Sequence, residues 1–243
     1  WYFLSGRSAL RLSPGKPNWA LMRRILSVGA LATLNPLLSN TLIAVTTTLV
    51  GALAGTAALA GYGIASRIEY LVIPIAFGIG APLVAMVGSN IGAGQPRRAV
   101  RIATIGAALA FVLSEAIGLT AAAWPNAWMN LFSADEATLE AGSAFLRNVG
   151  PFLGFFGAGF TLYFAAQGAG RMKWPLVAGA ARLLVAGGGG WALLHSGGSL
   201  NSLFIASATG MVVYGLVSVC AIAFRGGYFM NETPVTTSAI LSK

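Results

Sequence analysis

The chain is predicted to be an all-α membrane protein, a six-helix transmembrane bundle, and three observations carry that prediction. Of its 243 residues, 56% are hydrophobic and 9% are charged, with a mean hydropathy of +0.76. That balance does not describe a soluble domain of this length, so lipid is the solvent for most of the surface. Apolar stretches also recur near 21–53, 58–89, 99–124, 137–167, 175–194 and 203–224. Each is long enough for a hydrocarbon core of about 30 Å, which takes about 20 helical residues. Finally, twelve of the fifteen Lys and Arg residues cluster at every second gap: Arg7 to Arg24, Arg97 to Arg101, Arg171 with Lys173, and Arg225 with Lys243. The gaps near Gly55, Asp135 and Ser196 carry none. Because basic residues in short loops stay on the cytoplasmic side, both ends of the chain are expected inside and those three turns outside.

The spans are expected to tilt or bend. Four exceed the minimum length, and Pro36, Pro74, Pro82 and Pro151 lie inside them, each removing a backbone donor. A transmembrane strand reading fails on length and on the lack of sustained polar alternation. The net charge of +9 follows the topology and lines no groove, which argues against nucleic acid as a partner. Cys220 is the only cysteine, so no internal disulfide forms, and it reads as a small packing residue.

Residues 1–20 read as the last turn of a preceding span followed by a cytoplasmic linker, 21–227 as the six-helix unit, and 228–243 as a cytoplasmic tail. The opening Trp1-Tyr2-Phe3-Leu4 and the basic, Gly- and Pro-containing run to Pro17 support the first boundary. A glycosylation sequon at Asn231 falls in the expected cytoplasmic tail, where it has no meaning.

Five ionisable side chains lie inside spans: Arg67, Glu69, Glu115, Arg147 and Arg182. A charge at the helix centre costs about 2.5–3.5 kcal/mol on insertion scales, so each needs a partner or water. At about 1.5 Å per residue, Arg67, Glu69, Glu115 and Arg147 share one layer roughly 13–18 Å from the outer helix ends. Either they pair with one another, Glu69 with Arg147, or they wall an aqueous cavity in which one carboxylate exchanges a proton or cation. Glu69 is favoured over Glu115 as that ion-coupling group, because Tyr62, Ser66 and Glu69 fall at i, i+4 and i+7 on one helix face. Thr33, Asn40 and Thr47 recur every seven residues as a second polar stripe, readable as cavity wall or as interhelical glue. Arg147, Gly154, Ala158 and Thr161 share a third face, where small residues leave room for close packing or for a cavity. Arg182 lies a few residues from the cytoplasmic end of its span, where it snorkels, and is left out of the site.

Other features carry less. Gly187 to Gly190 reads as a close-packing or flexible segment, since no strand or Lys-Ser/Thr accompanies it. His195 stands alone at an outer end, so no metal site is expected. No hydrolytic constellation is present, and the chain is not read as an enzyme. Gly92-Ala93-Gly94-Gln95 before Arg97 echoes Gly168-Ala169-Gly170 before Arg171, readable as generic helix capping or as a nested repeat of three-helix units.

Three runs carry a family resemblance. Ala60-Gly61-Tyr62-Gly63-Ile64-Ala65-Ser66-Arg67-Ile68-Glu69, Pro74 to Gly80, and Val87 to Gln95 together resemble the eighth span of multidrug and toxic compound extrusion (MATE) transporters. Gly159 to Gly170 resembles the end of that family's tenth span. The likeness covers roughly 21–227 and implies one lobe of a two-lobe, twelve-helix transporter in the plasma membrane, bacterial inner membrane by expectation. It further implies an antiporter that exports amphipathic, often cationic organic compounds in exchange for protons or sodium, with no other cofactor and with an N-terminal lobe of the same polypeptide as partner. One departure stands out. Some MATE branches carry acidic cation ligands in the seventh and tenth spans, whereas the first span here has none and the fourth has Arg147-Asn148, which moves the expectation toward protons or toward the other lobe. Two alternatives remain: a lipid-linked saccharide flippase of related architecture, supported by Arg67 and Arg147 as cavity cations, and a non-transporting membrane assembly subunit.

Overall fold

The computed structural model describes residues 18–223. The linker expected over 1–20 lies outside the described residues except for its last three positions, and the 228–243 tail lies outside them entirely. Every described element is helical. The first, α1 (Trp19–Ala65), contains Gly55 at φ 75° and ψ −165°, a region essentially reserved for glycine. The chain reverses there. A Cβ at Gly51 would lie 3.7 Å from Leu59, and Tyr62 adjoins Thr46, pairs that a straight helix would hold roughly 12 and 24 Å apart. α1 is therefore a long arm (19–54) and a short arm (56–65), and the short arm continues past Ser66 into α2 (Arg67–Gly92).

There follow α3 (Pro96–Ala123), the short α4 (Pro125–Met129) and α5 (Glu136–Val149). A 3-10 turn (Gly150–Phe152) then leads to α6 (Leu153–Gly168), and α7 (Lys173–Arg182) runs through a π-helical segment (Leu183–Gly188) into α8 (Gly189–His195). α9 (Leu200–Ala223) ends the described chain. Five stretches are long and apolar enough to cross a membrane, the first being Ala32–Gly92. Its reversal at Gly55 makes six spans, as expected from the hydropathy pattern.

The fourth span, α5 with α6, is the centre of the bundle: 72% of its apolar window is buried, against 28–44% for the others. Glycines let its neighbours approach. A Cβ at Gly61 would lie 2.8 Å from the Gly142 nitrogen, and one at Gly88 would lie 3.0 Å from the Gly168 carbonyl, so the second and fourth spans run side by side along their length. α3 packs on the other flank, where a Cβ at Gly118 would meet Leu153 at 2.9 Å. Gly154 and Gly157 face Glu115 and Ser114 of α3, so the small residues of the Arg147 face serve close packing.

Helix ends explain the sequence echo. Gly94 and Gly170 both take positive φ, 70° and 68°. In each cap the following residue reaches back five positions, Gln95 to Asn90 (2.8 Å) and Arg171 to Ala166 (2.9 Å), the Schellman arrangement that satisfies terminal carbonyls. Cys220 is exposed on α9 and does not pack inside. The glycine run of the fifth span is a packing surface: a Cβ at Gly190 would lie 2.6 Å from Leu203 and 2.9 Å from Leu49.

Candidate functional site

A cavity of about 570 Å³ opens between the two arms of α1, α2, α5, α6, α7 and α9. Its polar lining comes from Asn35, Ser39, Asn40 and Thr46 of the long arm, Tyr62, Ser66 and Glu69 of the second span, Gln167, Arg182, Ser207 and three further tyrosines, Tyr70, Tyr163 and Tyr214. Aromatic rings make most of the remaining wall. On α6, Phe156, Phe160 and Tyr163 sit at i, i+4 and i+7 as a ladder of near-parallel rings, with centroids 5.9 and 6.1 Å apart and interplanar angles of 9° and 7°.

Pro36 shapes the long-arm wall. Without an N–H it cannot bond the carbonyl of Ala32, four residues back, and the Tyr163 hydroxyl donates to that carbonyl instead at 3.2 Å. Asn40 in turn donates to the Pro36 carbonyl at 2.9 Å. A proline that would weaken an isolated helix thereby fastens α1 to α6 beside the cavity.

Glu69 and Arg182 form the only ion pair among the described residues, Oε2 to Nη2 at 3.5 Å, with side chains 22% and 11% exposed. Arg182 also lies over Phe156 and Tyr214, 4.8 and 5.9 Å from the ring centroids, and its buried Nε has no hydrogen-bond partner. The arginine left out of the site on sequence grounds is thus its one cation among the described residues. Depth counted along the helix placed it near an end, yet its long side chain reaches the cavity across the bundle.

The expected layer of four charges does not assemble. Arg67 is exposed, with its guanidinium over Phe132 at 5.8 Å on the connection after α4. Arg147 is exposed and lines no part of the cavity. Glu115 accepts the Gly154 backbone N–H at 2.7 Å, supplying an acceptor where the 3-10 turn has interrupted the fourth span and left α6 with free N–H groups at its start. Glu115 therefore sits as a helix cap on the α3 side, outside the cavity lining. Of the Thr33, Asn40 and Thr47 stripe only Asn40 lines the cavity. The two threonine hydroxyls donate to their own helix, to Gly29 (2.9 Å) and Ile43 (2.7 Å). Thr161 is fully buried, without a partner and away from the lining. Tyr62, Ser66 and Glu69 do share the cavity, as their spacing requires. Tyr62 is held edge-on by Phe145 at 5.3 Å. Asn35, Tyr163, Tyr214 and Arg182 were missed; the ring spacing on α6 was the one readable signal for that wall. Among the described residues no group of three His, Cys, Asp or Glu side chains gathers to hold a metal.

Comparison with known proteins gives this geometry a context. A family profile described as MatE matches residues 32–187. A probable multidrug resistance protein NorM of Thermotoga maritima is 24% identical over 178 residues, covering 72% of this chain and 38% of that protein. An FAD transporter of Shewanella oneidensis is 25% identical over 135 residues, 55% of this chain and 29% of that one. In three dimensions, the outward-facing structure of a multidrug resistance MATE family transporter of the MOP superfamily superposes with a TM-score of 0.84 at 18% identity. The match takes in 95% of this chain and 53% of the other. The matched stretches thus cover well under half of these curated relatives, 38% and 29%, and the chain matches about half of that solved transporter.

Proposed function

The chain belongs to the MatE family, and we propose that it forms one lobe of a secondary antiporter exporting amphipathic organic compounds, often cationic, in exchange for protons or sodium. The observation that carries this reading is the ring-lined cavity whose described lining holds a single acid, Glu69, paired to Arg182. A ring-lined wall holds planar organic molecules by area and stacking. A carboxylate inside a bundle, set against one counter-ion, can change its charge by taking a proton. No covalent chemistry is required, and the protein acts as a transporter and not as an enzyme.

In this reading the remaining wall of the central pathway comes from an N-terminal lobe of the same polypeptide, since substrate sites of such transporters lie at the interface of repeats. The basic clusters at Arg97 to Arg101 and at Arg171 with Lys173 mark the cytoplasmic face of a plasma membrane. The Shewanella relative is named for FAD, a molecule with planar fused rings, in keeping with the α6 ladder. The flippase alternative loses its support, because Arg67 and Arg147 stand outside the cavity. The test is efflux of a fluorescent organic cation from proteoliposomes holding the full-length protein. Efflux that follows an imposed proton or sodium gradient is expected, and gradient-independent leakage equal to that of empty vesicles would refute the reading.

A further inference from the structure

Away from the cavity, on another face of the turn that carries Glu69, lies a second concavity. It is an open groove of about 560 Å³ between α2, α3 and α4, walled by Ile68, Ala116, Ile117, Thr120, Trp124 and Trp128. The Thr120 hydroxyl donates to the Ala116 carbonyl at 2.7 Å and the Trp128 indole N–H to the Ile64 carbonyl at 3.2 Å. Neither is free for a guest, so what lies in the groove is held by apolar contact.

The depth of the groove follows from the spans. The second and fourth spans come together near their cytoplasmic ends where Gly88 meets Gly168, and the 21 residues from Gly88 back to Arg67 rise roughly 32 Å. A hydrocarbon core is about that thick, which sets Arg67 at the outer headgroups and the groove among the tails beneath them. Trp124 and Trp128 then stand where an interfacial aromatic belt belongs.

The arginine is continuous with the groove. Ile68 follows it in sequence, its guanidinium lies over Phe132 at 5.8 Å, and Phe132 packs against Trp128 with ring centroids 5.3 Å apart. Arg67 is exposed and, among the described residues, pairs with no carboxylate, since the one ion pair there is Glu69 with Arg182. Asp135, three residues beyond Phe132, is engaged by the N–H and hydroxyl of Thr138. A positive charge without a carboxylate partner at the mouth of an apolar groove is the complement of a lipid with a negative head.

We propose that Arg67 and this groove form a binding site for an anionic phospholipid of the outer leaflet, one acyl chain lying between α2 and α3 and the phosphate held by the guanidinium. The inference rests on the membrane topology and is independent of the transport reading. A zwitterionic headgroup brings its own cation to the phosphate, so the site discriminates by net charge. One basic residue near a membrane surface sets that preference at about fivefold.

The test is native mass spectrometry of the full-length protein in detergent, titrated with equal amounts of phosphatidylglycerol and phosphatidylcholine carrying the same acyl chains. Wild type is expected to retain phosphatidylglycerol in preference. Arg67→Gln is expected to carry one phosphatidylglycerol fewer at the same lipid concentration, that site weakening about fivefold to the level of phosphatidylcholine, with phosphatidylcholine binding unchanged. Arg67→Lys keeps the charge and most of the preference. Thr120→Trp fills the groove with Arg67 in place and is expected to lose the same lipid.

A full phosphatidylglycerol complement in Arg67→Gln or in Thr120→Trp overturns the inference, and should Arg67→Gln fail to fold, Thr120→Trp decides alone. Equal loss of both lipids in Arg67→Gln would mark a structural arginine and not a headgroup contact, which also overturns it. Dimers of lipid-free wild type that Thr120→Trp takes apart would give this face to a second copy of the chain, with the same result.

Discussion

A glutamine at position 69 keeps the length and shape of the glutamate and cannot carry a proton, which makes Glu69→Gln the most direct probe of coupling. Arg182 retains its seat over Phe156 and Tyr214, so insertion and abundance are expected to stay near wild type while gradient-driven efflux drops at least about tenfold, as loss of a single essential proton carrier predicts. If the pair were only structural, Glu69→Gln would instead cost about 3–5 kcal/mol of stability and Arg182→Gln on top of it would recover much of that; thermal unfolding of single and double variants separates the two. Normal efflux at normal expression would remove Glu69 from the mechanism. Tyr163 gives a second prediction. Tyr163→Phe keeps the ring ladder but leaves the Ala32 carbonyl unpaired, since Pro36 has no N–H to offer. A loss of about 1–3 kcal/mol is expected in detergent unfolding, and a neutral result would show that water replaces the hydroxyl. At this scale the sequence revealed what repeats along one helix, such as Tyr62, Ser66 and Glu69. It hid what depends on reach across helices, as Arg182 and Tyr163 do, because periodicity carries no information about which helix faces which.

Elements end where the backbone loses its partners, and two carboxylates mark such places. Glu115 bonds the Gly154 N–H beside the break at Pro151. Glutamine still offers a carbonyl oxygen there, so Glu115→Gln is expected to leave both stability and the pH profile of efflux unchanged, whereas Glu115→Ala exposes the orphan N–H and destabilises by about 1–3 kcal/mol. A pH profile altered by Glu115→Gln would return that residue to the coupling machinery. Asp135, in the connection before α5, accepts the Thr138 N–H at 2.9 Å and the Thr138 hydroxyl at 2.6 Å, and these bonds hold its carboxyl below the ordinary carboxylate range. Because the folded value is depressed, the cap contributes fully above the unfolded value of about 3.9 and fades as pH falls through the lower folded one. Hydrogen exchange in the first turn of α5 should therefore stay flat from neutral pH down to about 4, after correction for intrinsic exchange, and Asp135→Ala should lower protection throughout that range. Proline positions forecast a bend in the fourth span, and hydropathy placed each turn within a few residues. The π-helical stretch after Arg182 had no signature beyond the glycines that follow, since one extra residue in a turn is set by packing against α1 and α9 and not by local preference.

The molecule as a whole sets the one ion pair among its described residues inside a cavity walled by several of its helical elements, and the same hydropathy that made the spans legible made the cavity hard to see. Apolar residues face lipid, the core and the cavity alike, so the aromatic wall of α6 reads as ordinary core until neighbouring spans are placed around it. The fold matches about half of the solved transporter, 53% of its chain, and an exchange cycle needs the site to open to each side of the membrane in turn around a second rigid body. A lobe that moves as a unit has nothing to rock against by itself. Residues 1–243 alone, reconstituted into vesicles, are therefore expected to insert and to bind planar aromatic dyes weakly, with no uptake or efflux driven by a proton or sodium gradient. Coupled transport by this stretch at the rate of the full-length protein would refute the two-lobe reading. Dye binding restored to full strength when the other lobe is supplied as a separate chain would show that the lobes assemble without a covalent link, and that the missing wall, not a defect in this half, accounts for the difference.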